Sequence, residues 1–385
     1  MTPHVPALIV GVPKETAEGE RRVALVPESI PKLRGASILV ERGAGEQSGS
    51  PDGAYAAEGA GFSSGAEALL HESELVLKVQ PPTPAEAGRL SEGSATVSFL
   101  YPLTHLQTVK QLSESGATAF AMDLMPRISR AQPMDALSSQ SIVSGYKAVM
   151  MAADSLPKLF PLLMTAAGTI TPAKVFVLGA GVAGLEAVAT AHRLGALVEA
   201  YDVRPAVKEQ IESLGAKFVE LPIEVKDAQT VGGYAKAQSE DFYKRQQELL
   251  AEHAKAADVV ITTALVPGSR APLLITEEAV MGMRPGSVVI DLAAEQGGNC
   301  AFTEAGRTIV RNGVSIQGPV NLPSTMAQQA SLLYSRNITA FLLNMLQDGT
   351  LHIDPGDEIV RGTLVVHGGK VVHEPTRAAL EAAPT

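Results

Sequence analysis

Three glycines, Gly179, Gly181 and Gly184, stand at the end of the apolar run Val175-Phe176-Val177-Leu178 and at the start of an Ala-rich stretch. Their spacing suits dinucleotide binding. The first permits a tight strand-to-helix turn, the second removes a side chain that would block a pyrophosphate, and the third lets helix and strand pack closely. The helix N-terminus then faces the phosphates, with Ala180 and Val182 in the same turn counted among the cofactor-binding residues. The next apolar stretch, LVEAY, ends at Asp202, 23 positions after Gly179; a ribose-binding acid is expected at a spacing of about 20. A carboxylate there accepts from both ribose hydroxyls and repels a 2′-phosphate, which favours NAD over NADP. Val203 follows, and Arg204 could instead welcome that phosphate or stack on the adenine. The alternative is an Asp that merely caps a helix starting at Pro205.

These residues need a framework. From Ala7 to Asp123, short apolar runs (ALIVGV, SILVE, LVLKV, ATVSF, TAFAMD) alternate with helix-like stretches such as Thr104 to Ser115, the pattern of a parallel α/β sheet. A polar stretch, Met125 to Gln140, separates it from a second set: KVFVL, LVEAY, KFVE, DVVIT and SVVID. The fold class is α/β, with two Rossmann-like open parallel-sheet domains and a cleft between them, the usual place for a small ligand. Met326 to Leu346 has helical spacing and carries the chain back to the first domain. The tail TLVVHGGKVVHE reads as a hairpin closed by Gly368-Gly369. The domains are therefore 1–135 with 330–385, and 136–329. The mostly polar insertion 221–240 reads as a mobile lid, in which paired glycines provide a hinge and Gly233 and Tyr234 a contact for the cofactor.

Composition narrows the partners. Lys+Arg 31 against Asp+Glu 41 gives the 385-residue chain a formal charge of -10, which repels nucleic acid and anionic lipid. Its one cysteine, Cys300, cannot form an internal disulfide, and without a signal-like start the chain reads as cytosolic. The eight histidines show no metal-ligand spacing with cysteine and no HExxH occurs, so no metal is expected. The longest apolar stretch, Val175 to Ala191, contains the glycine turn and Glu186, and so is not a membrane span.

Nearly the whole chain resembles the NAD-binding component, domain I of the soluble α-subunit portion, of the Re/Si-specific, proton-translocating NAD(P) transhydrogenases, whose structural relatives are the alanine dehydrogenases. Motifs common to both are GERRVAL with Arg22, LVLKVQ with Lys78, GAGVAG, and TTALVPG followed by VVIDLAAEQGGNC. The resemblance adds Ala264 and Leu265 to the cofactor-binding residues. The separating motif is MPRISRAQPMDALSSQ, residues 125 to 140, similar to the transhydrogenase loop whose Arg, Gln and Asp sit at the nicotinamide. Here these are Arg127, Gln132 and Asp135, followed by Ser138. Gln132 can both donate to and accept from a carboxamide, Arg127 can hold its oxygen or a phosphate, and Asp135 can orient Arg127.

The chemistry offers a separate test. Oxidising an amine or alcohol requires a general base near the carbon that loses hydride, whereas direct transfer between two nicotinamides moves no proton. Where alanine dehydrogenases carry a His and an Asp, this chain has Pro102 and Glu295, with His105 three residues off register. Arg22 and Lys78, which bind a substrate carboxylate in alanine dehydrogenases, are expected here to be structural ion-pair residues. The resemblance implies NADH on this chain, NADP on a partner's domain III, separate membrane-spanning subunits, a homodimer, and a peripheral place on the cytoplasmic face of the inner membrane. An NAD-dependent alanine or other amino-acid dehydrogenase and a non-catalytic NAD-sensing module are the alternatives.

Overall fold

The computed structural model describes residues 8–220, 240–265, 270–347 and 349–382. Of the expected lid, residues 221–239, with Gly233 and Tyr234, lie outside them; Glu240 already opens a helix, Glu240–Ala256. Among the described residues no helix is long and apolar enough to cross a membrane. The chain forms two compact units, Met1–Gln140 with Pro323–Thr385, and Ser141–Leu322.

The first unit is built on an eight-stranded sheet ordered Lys370–Val371, Leu364–His367, Thr118–Ala121, Ala95–Ser98, Leu75–Leu77, Leu8–Val12, Ala36–Glu41, Gly61–Ser63. From Thr118–Ala121 onward all strands run parallel, and their β-branched runs are buried as a two-sided parallel sheet requires. The C-terminal hairpin adds to the edge antiparallel to Thr118–Ala121. Gly368 and Gly369 take φ of 55° and 73°, the left-handed pair that closes the two-residue turn foreseen from the sequence. The helix Ala327–Met345 lays Tyr334, Ile338, Phe341 and Leu342 into the core, and Phe341 meets Phe120 edge-on at 5.5 Å.

This unit reaches Gln140 rather than ending at 135, because the Gln140 amide accepts from Arg22 Nη1 (2.9 Å) and donates to Ala330 O (3.0 Å). It resumes at 323 rather than 330, because Ser324 Oγ accepts from Arg21 N and donates to Gly19 O, both at 2.7 Å. The polar stretch 125–140 also holds more structure than its composition announces: a 3₁₀ turn, Ser129–Met134, and then the start of the helix Ala136–Ser155.

The second unit carries a seven-stranded sheet ordered Lys217–Phe218, Leu197–Tyr201, Lys174–Leu178, Val259–Thr262, Val288–Asp291, Val314–Gln317, Thr308–Arg311, antiparallel only at the last pair. After Lys174–Leu178 the chain adds two strands on one side and then returns to continue on the other. The order therefore reverses between Lys174–Leu178 and Val259–Thr262, and a crevice opens at the carboxyl ends of these two strands. Both α/β assignments and the parallel sheets thus agree with the alternation read from the sequence. A separate hairpin, Leu163–Thr165 with Gly168–Ile170, lies exposed on both faces.

Candidate functional site

At the point of reversal the three glycines differ in what holds them as glycine. Gly179 has φ of 95°, and a Cβ there would come 2.7 Å from Thr263 Oγ1. A Cβ on Gly184 would lie 1.9 Å from Gly179 O, so the helix Val182–Arg193 rests directly on the turn. Gly181, at φ −73°, has nothing within 4 Å of an added Cβ. Folding places no demand for glycine at 181, and the space it leaves lies at the first turn of that helix, whose N–H groups favour an anion. This is the cradle a pyrophosphate would fill.

Strand ends tie the turn together. Gly179 N donates to Tyr201 O at 2.9 Å, Thr263 N to Leu178 O at 2.7 Å, and Thr263 Oγ1 to Gly179 O at 3.0 Å. Asp202, buried at the end of Leu197–Tyr201, accepts from Ala180 N (2.7 Å) and from Arg204 N, Nε and Nη2 (each 2.8 Å). Each carboxylate oxygen takes two of these bonds, which fills the roughly four lone-pair positions of the group. Two of the four come from the Arg204 side chain, so ribose hydroxyls would occupy Asp202 by replacing that fork. The pairing with Asp202 holds the Arg204 guanidinium above its usual pKa. The helical turn at Pro205 receives no side-chain cap, so Asp202 does not serve as its N-cap. Val203 and Ala264 pack on one core beneath the sheet, and Leu265 is 41% exposed.

Sequence reasoning did not single out Asn299. Its carboxamide Oδ1 accepts from Ala264 N at 3.0 Å, and Nδ2 donates to Ala264 O at 2.9 Å and Pro272 O at 2.8 Å. Asp291, fully buried, holds the loop that presents Asn299 by accepting from Thr262 Oγ1, Ala293 N, Asn299 N, Cys300 N and Thr303 Oγ1 at 2.6–3.1 Å. The visible signal was a polar residue directly after two glycines; Gly297 and Gly298 take φ of 98° and 79° there.

In the first unit, Arg127, Gln132, Asp135 and Ser138 share one loop and the helix start that follows it. Arg127 and Gln132 are exposed. Both oxygens of Asp135 are taken by Ser138, one from its N–H (2.9 Å) and one from its hydroxyl (2.6 Å), so this carboxylate fastens the first turn of Ala136–Ser155. The loop is pinned elsewhere by Asn337 Nδ2 on Pro133 O (2.9 Å) and by Arg130 on Asp357 (2.8 Å), a pairing that holds the Asp357 carboxyl below its usual range.

Arg22 and Lys78 are buried in the same unit among acids. Glu20 grips Arg22 as a fork, Oε1 to Nε at 2.8 Å and Oε2 to Nη2 at 2.6 Å. Lys78 Nζ lies 3.0 Å from Glu86 and 3.6 Å from Glu15. Burial pushes the Glu15 carboxyl up, against the pull of Lys78. Nearby, Pro102 is buried and His105 exposed, its Nδ1 3.1 Å from Thr104 Oγ1. In the second unit Glu295 Oε1 accepts from Asn321 N at 3.2 Å.

Comparison with known proteins agrees over both units. The family described as alanine dehydrogenase/PNT matches by its N-terminal domain over residues 11–144 and by its C-terminal domain over residues 148–374. In Rhodospirillum rubrum, the first of the chains that make up NAD(P) transhydrogenase subunit alpha is 48% identical over 374 residues, covering 94% of this chain and 97% of that protein. The crystal structure of transhydrogenase from Sinorhizobium meliloti superposes with a TM-score of 0.83 at 42% identity, covering 95% of this chain and 99% of that one. An L-alanine dehydrogenase structure gives 0.79 at 26% identity, covering 97% and 99%.

Proposed function

The chain belongs to the alanine dehydrogenase/PNT family, and on that premise we propose that it is the NADH-binding component of an NAD(P) transhydrogenase. In this reading hydride passes directly from NADH to NADP⁺ held on a partner's domain III, and separate membrane-spanning subunits couple the transfer to proton translocation. The observation that carries the reading is the space at Gly181, which folding does not require, at the crevice where the strand order reverses. Bound there, NADH supplies the hydride.

The chain's own residues then do four things. Gly181 admits the pyrophosphate to the helix N-terminus. Asp202 exchanges the Arg204 fork for ribose hydroxyls, a trade of charge-assisted hydrogen bonds for hydrogen bonds to the same charge. Its negative charge disfavours a 2′-phosphate. Gln132 and Arg127 orient the nicotinamide through its carboxamide, with the loop fixed by Asp135 on Ser138 and by Asn337. The fourth feature is what these residues omit: a proton-handling pair. Pro102 and Glu295 stand where the alanine dehydrogenase pattern has its His and Asp, and hydride exchange between two rings needs no base.

The homodimer is supported by the hairpin Leu163–Ile170, whose uncharged strands lie exposed on both faces, since a lone two-stranded hairpin is marginal in water. The partner subunits place the chain at the cytoplasmic face of the inner membrane.

An assay of the pure chain with NADH and an NADP-analogue acceptor, with and without the partner subunits, tests the proposal. Transfer is expected only with the component that holds NADP. Oxidation of alanine by the isolated chain would restore the dehydrogenase reading, and NADH binding without transfer under every partner condition would leave a sensing module. Gln132→Asn should slow single-turnover transfer by roughly ten- to a hundredfold while changing NADH affinity less than about tenfold, because it withdraws the amide by one methylene.

A further inference from the structure

The two sides of the strand reversal divide the work of binding. Asp202 ends the strand on one side of Lys174–Leu178 and would hold the adenosine ribose. A dinucleotide spanning the crevice therefore carries its other half toward the end of Val259–Thr262, on the opposite side. There the backbone alternates: residue 263 turns its polar groups to the glycine turn, and residue 264 turns both of its own to the Asn299 carboxamide.

Asn299 behaves as a substitute strand. A primary amide offers one acceptor and two donors, the same complement as a passing peptide unit plus one bond, and here all are used: Ala264 N, Ala264 O and Pro272 O. Its main chain is equally committed, with N on Asp291 Oδ2 at 2.7 Å and O accepting from Leu274 N and Ile275 N at 2.8 and 2.9 Å. No part of this residue is exposed. The N–H of Ala264 is consequently spent inside the protein, and what the segment presents outward is the half-exposed Leu265 side chain.

We propose that Asn299 is a positioning residue that holds the end of the fourth sheet strand, Val259–Thr262, so that the nicotinamide half of the cofactor meets Leu265 as an apolar wall rather than backbone polar groups. The proposal rests on the NADH reading of the glycine turn. An apolar wall suits a flat ring that must be held in place without a proton donor beside the carbon that gives up hydride. Only Asn fits the post, because Asp would set a carboxylate against the carbonyl oxygens of Ala264 and Pro272.

The test compares NADH with 5′-AMP, which carries only the adenosine half, in calorimetric and competitive titrations of the full chain. Asn299→Asp and Leu265→Ala should each weaken NADH by about ten- to a hundredfold and leave AMP within about twofold; Leu265→Met, which keeps an apolar side chain of similar size, should recover NADH affinity to within about threefold of the parent. Leu265→Ala alters an exposed side chain, so it reports even where Asn299→Asp fails to fold. Equal weakening of both ligands by Leu265→Ala, or NADH binding unchanged in it, overturns the proposal. A parent chain that binds neither ligand instead overturns the cofactor reading beneath it.

Discussion

Replacing Gly181 and Gly184 in turn by alanine separates binding from folding within one hexapeptide. At 181 the backbone lies at φ −73°, which any residue adopts, and the added methyl meets nothing within 4 Å. A stiffer unfolded chain gains roughly 0.4–1 kcal/mol, and exchanging Gly for Ala at a helix N-cap loses a similar amount. The melting temperature should stay within about 2 °C of the parent. The methyl does, however, fill the space beside the helix N-terminus. Losing two charge-assisted hydrogen bonds from backbone N–H to phosphate, at roughly 1.5–3 kcal/mol each, lowers NADH affinity by about a hundred- to ten-thousandfold. At 184 the Cβ would sit 1.9 Å from Gly179 O and 2.8 Å from its carbonyl carbon, both backbone atoms that cannot rotate away. The helix must lift by roughly 1 Å or more, and overpacking of this kind costs about 1–3 kcal/mol or more. At about 2–4 °C per kcal/mol for a unit of this size, scanning calorimetry should show the Gly184→Ala transition several degrees below the parent. Gly181→Ala that binds NADH within about threefold of the parent would refute the assignment of that space to the cofactor, and an unshifted Gly184→Ala would refute the packing argument.

Asp202→Asn keeps an acceptor for Ala180 N–H but loses the charge that holds Arg204. NADH should weaken by about 1–3 kcal/mol, NADPH should gain on it, and an unchanged ratio of the two affinities by calorimetry would remove Asp202 from cofactor selection. Lys78→Met strands Glu15 and Glu86 without their buried cation, so unfolding in guanidinium should lose about 3–5 kcal/mol; a stability within about 1 kcal/mol of the parent would refute the structural role. Burial pushes the Cys300 thiol up to about 11. The thiol is thus overwhelmingly protonated at pH 8 and becomes reactive only as pH rises toward that value. A disulfide reagent should label it only after denaturant is added, and rapid labelling of the native chain at pH 8 would contradict its burial.

Much of the framework was legible because it is written in local chemistry. The strands around Val175–Leu178 and Val259–Thr262 announce themselves as β-branched runs, and Gly368-Gly369 can hardly be other than a tight turn. The helix beginning at Ala136 was less visible. Its polar first turn, Ser138 included, resembles a linker until Asp135 is seen to bond it. Side-chain partnerships across long stretches of sequence were invisible for a different reason. Whether Arg204 faces a phosphate or Asp202 is a competition between rotamers, and no spacing rule decides it. Asn299 reaches Ala264 across 35 residues, and Gln140 reaches Ala330 across 190, contacts that exist only once the strands have been ordered.

The interrupted sheet of the first unit has a consequence for how the protein is made. Its edge strand Leu364–His367 and its core helix Ala327–Met345 emerge long after Thr118–Ala121, against which that edge strand pairs. At synthesis rates of about 5–20 residues per second, an interval on the order of ten to fifty seconds separates them on the ribosome. Ser141–Leu322 contains all its own strands and can close during that wait, while the earlier half stands with Phe120 and an unpaired strand edge uncovered. The nascent chain is therefore a client for holding chaperones at one stage of its birth, and the order in which its units mature is the reverse of the order in which they begin.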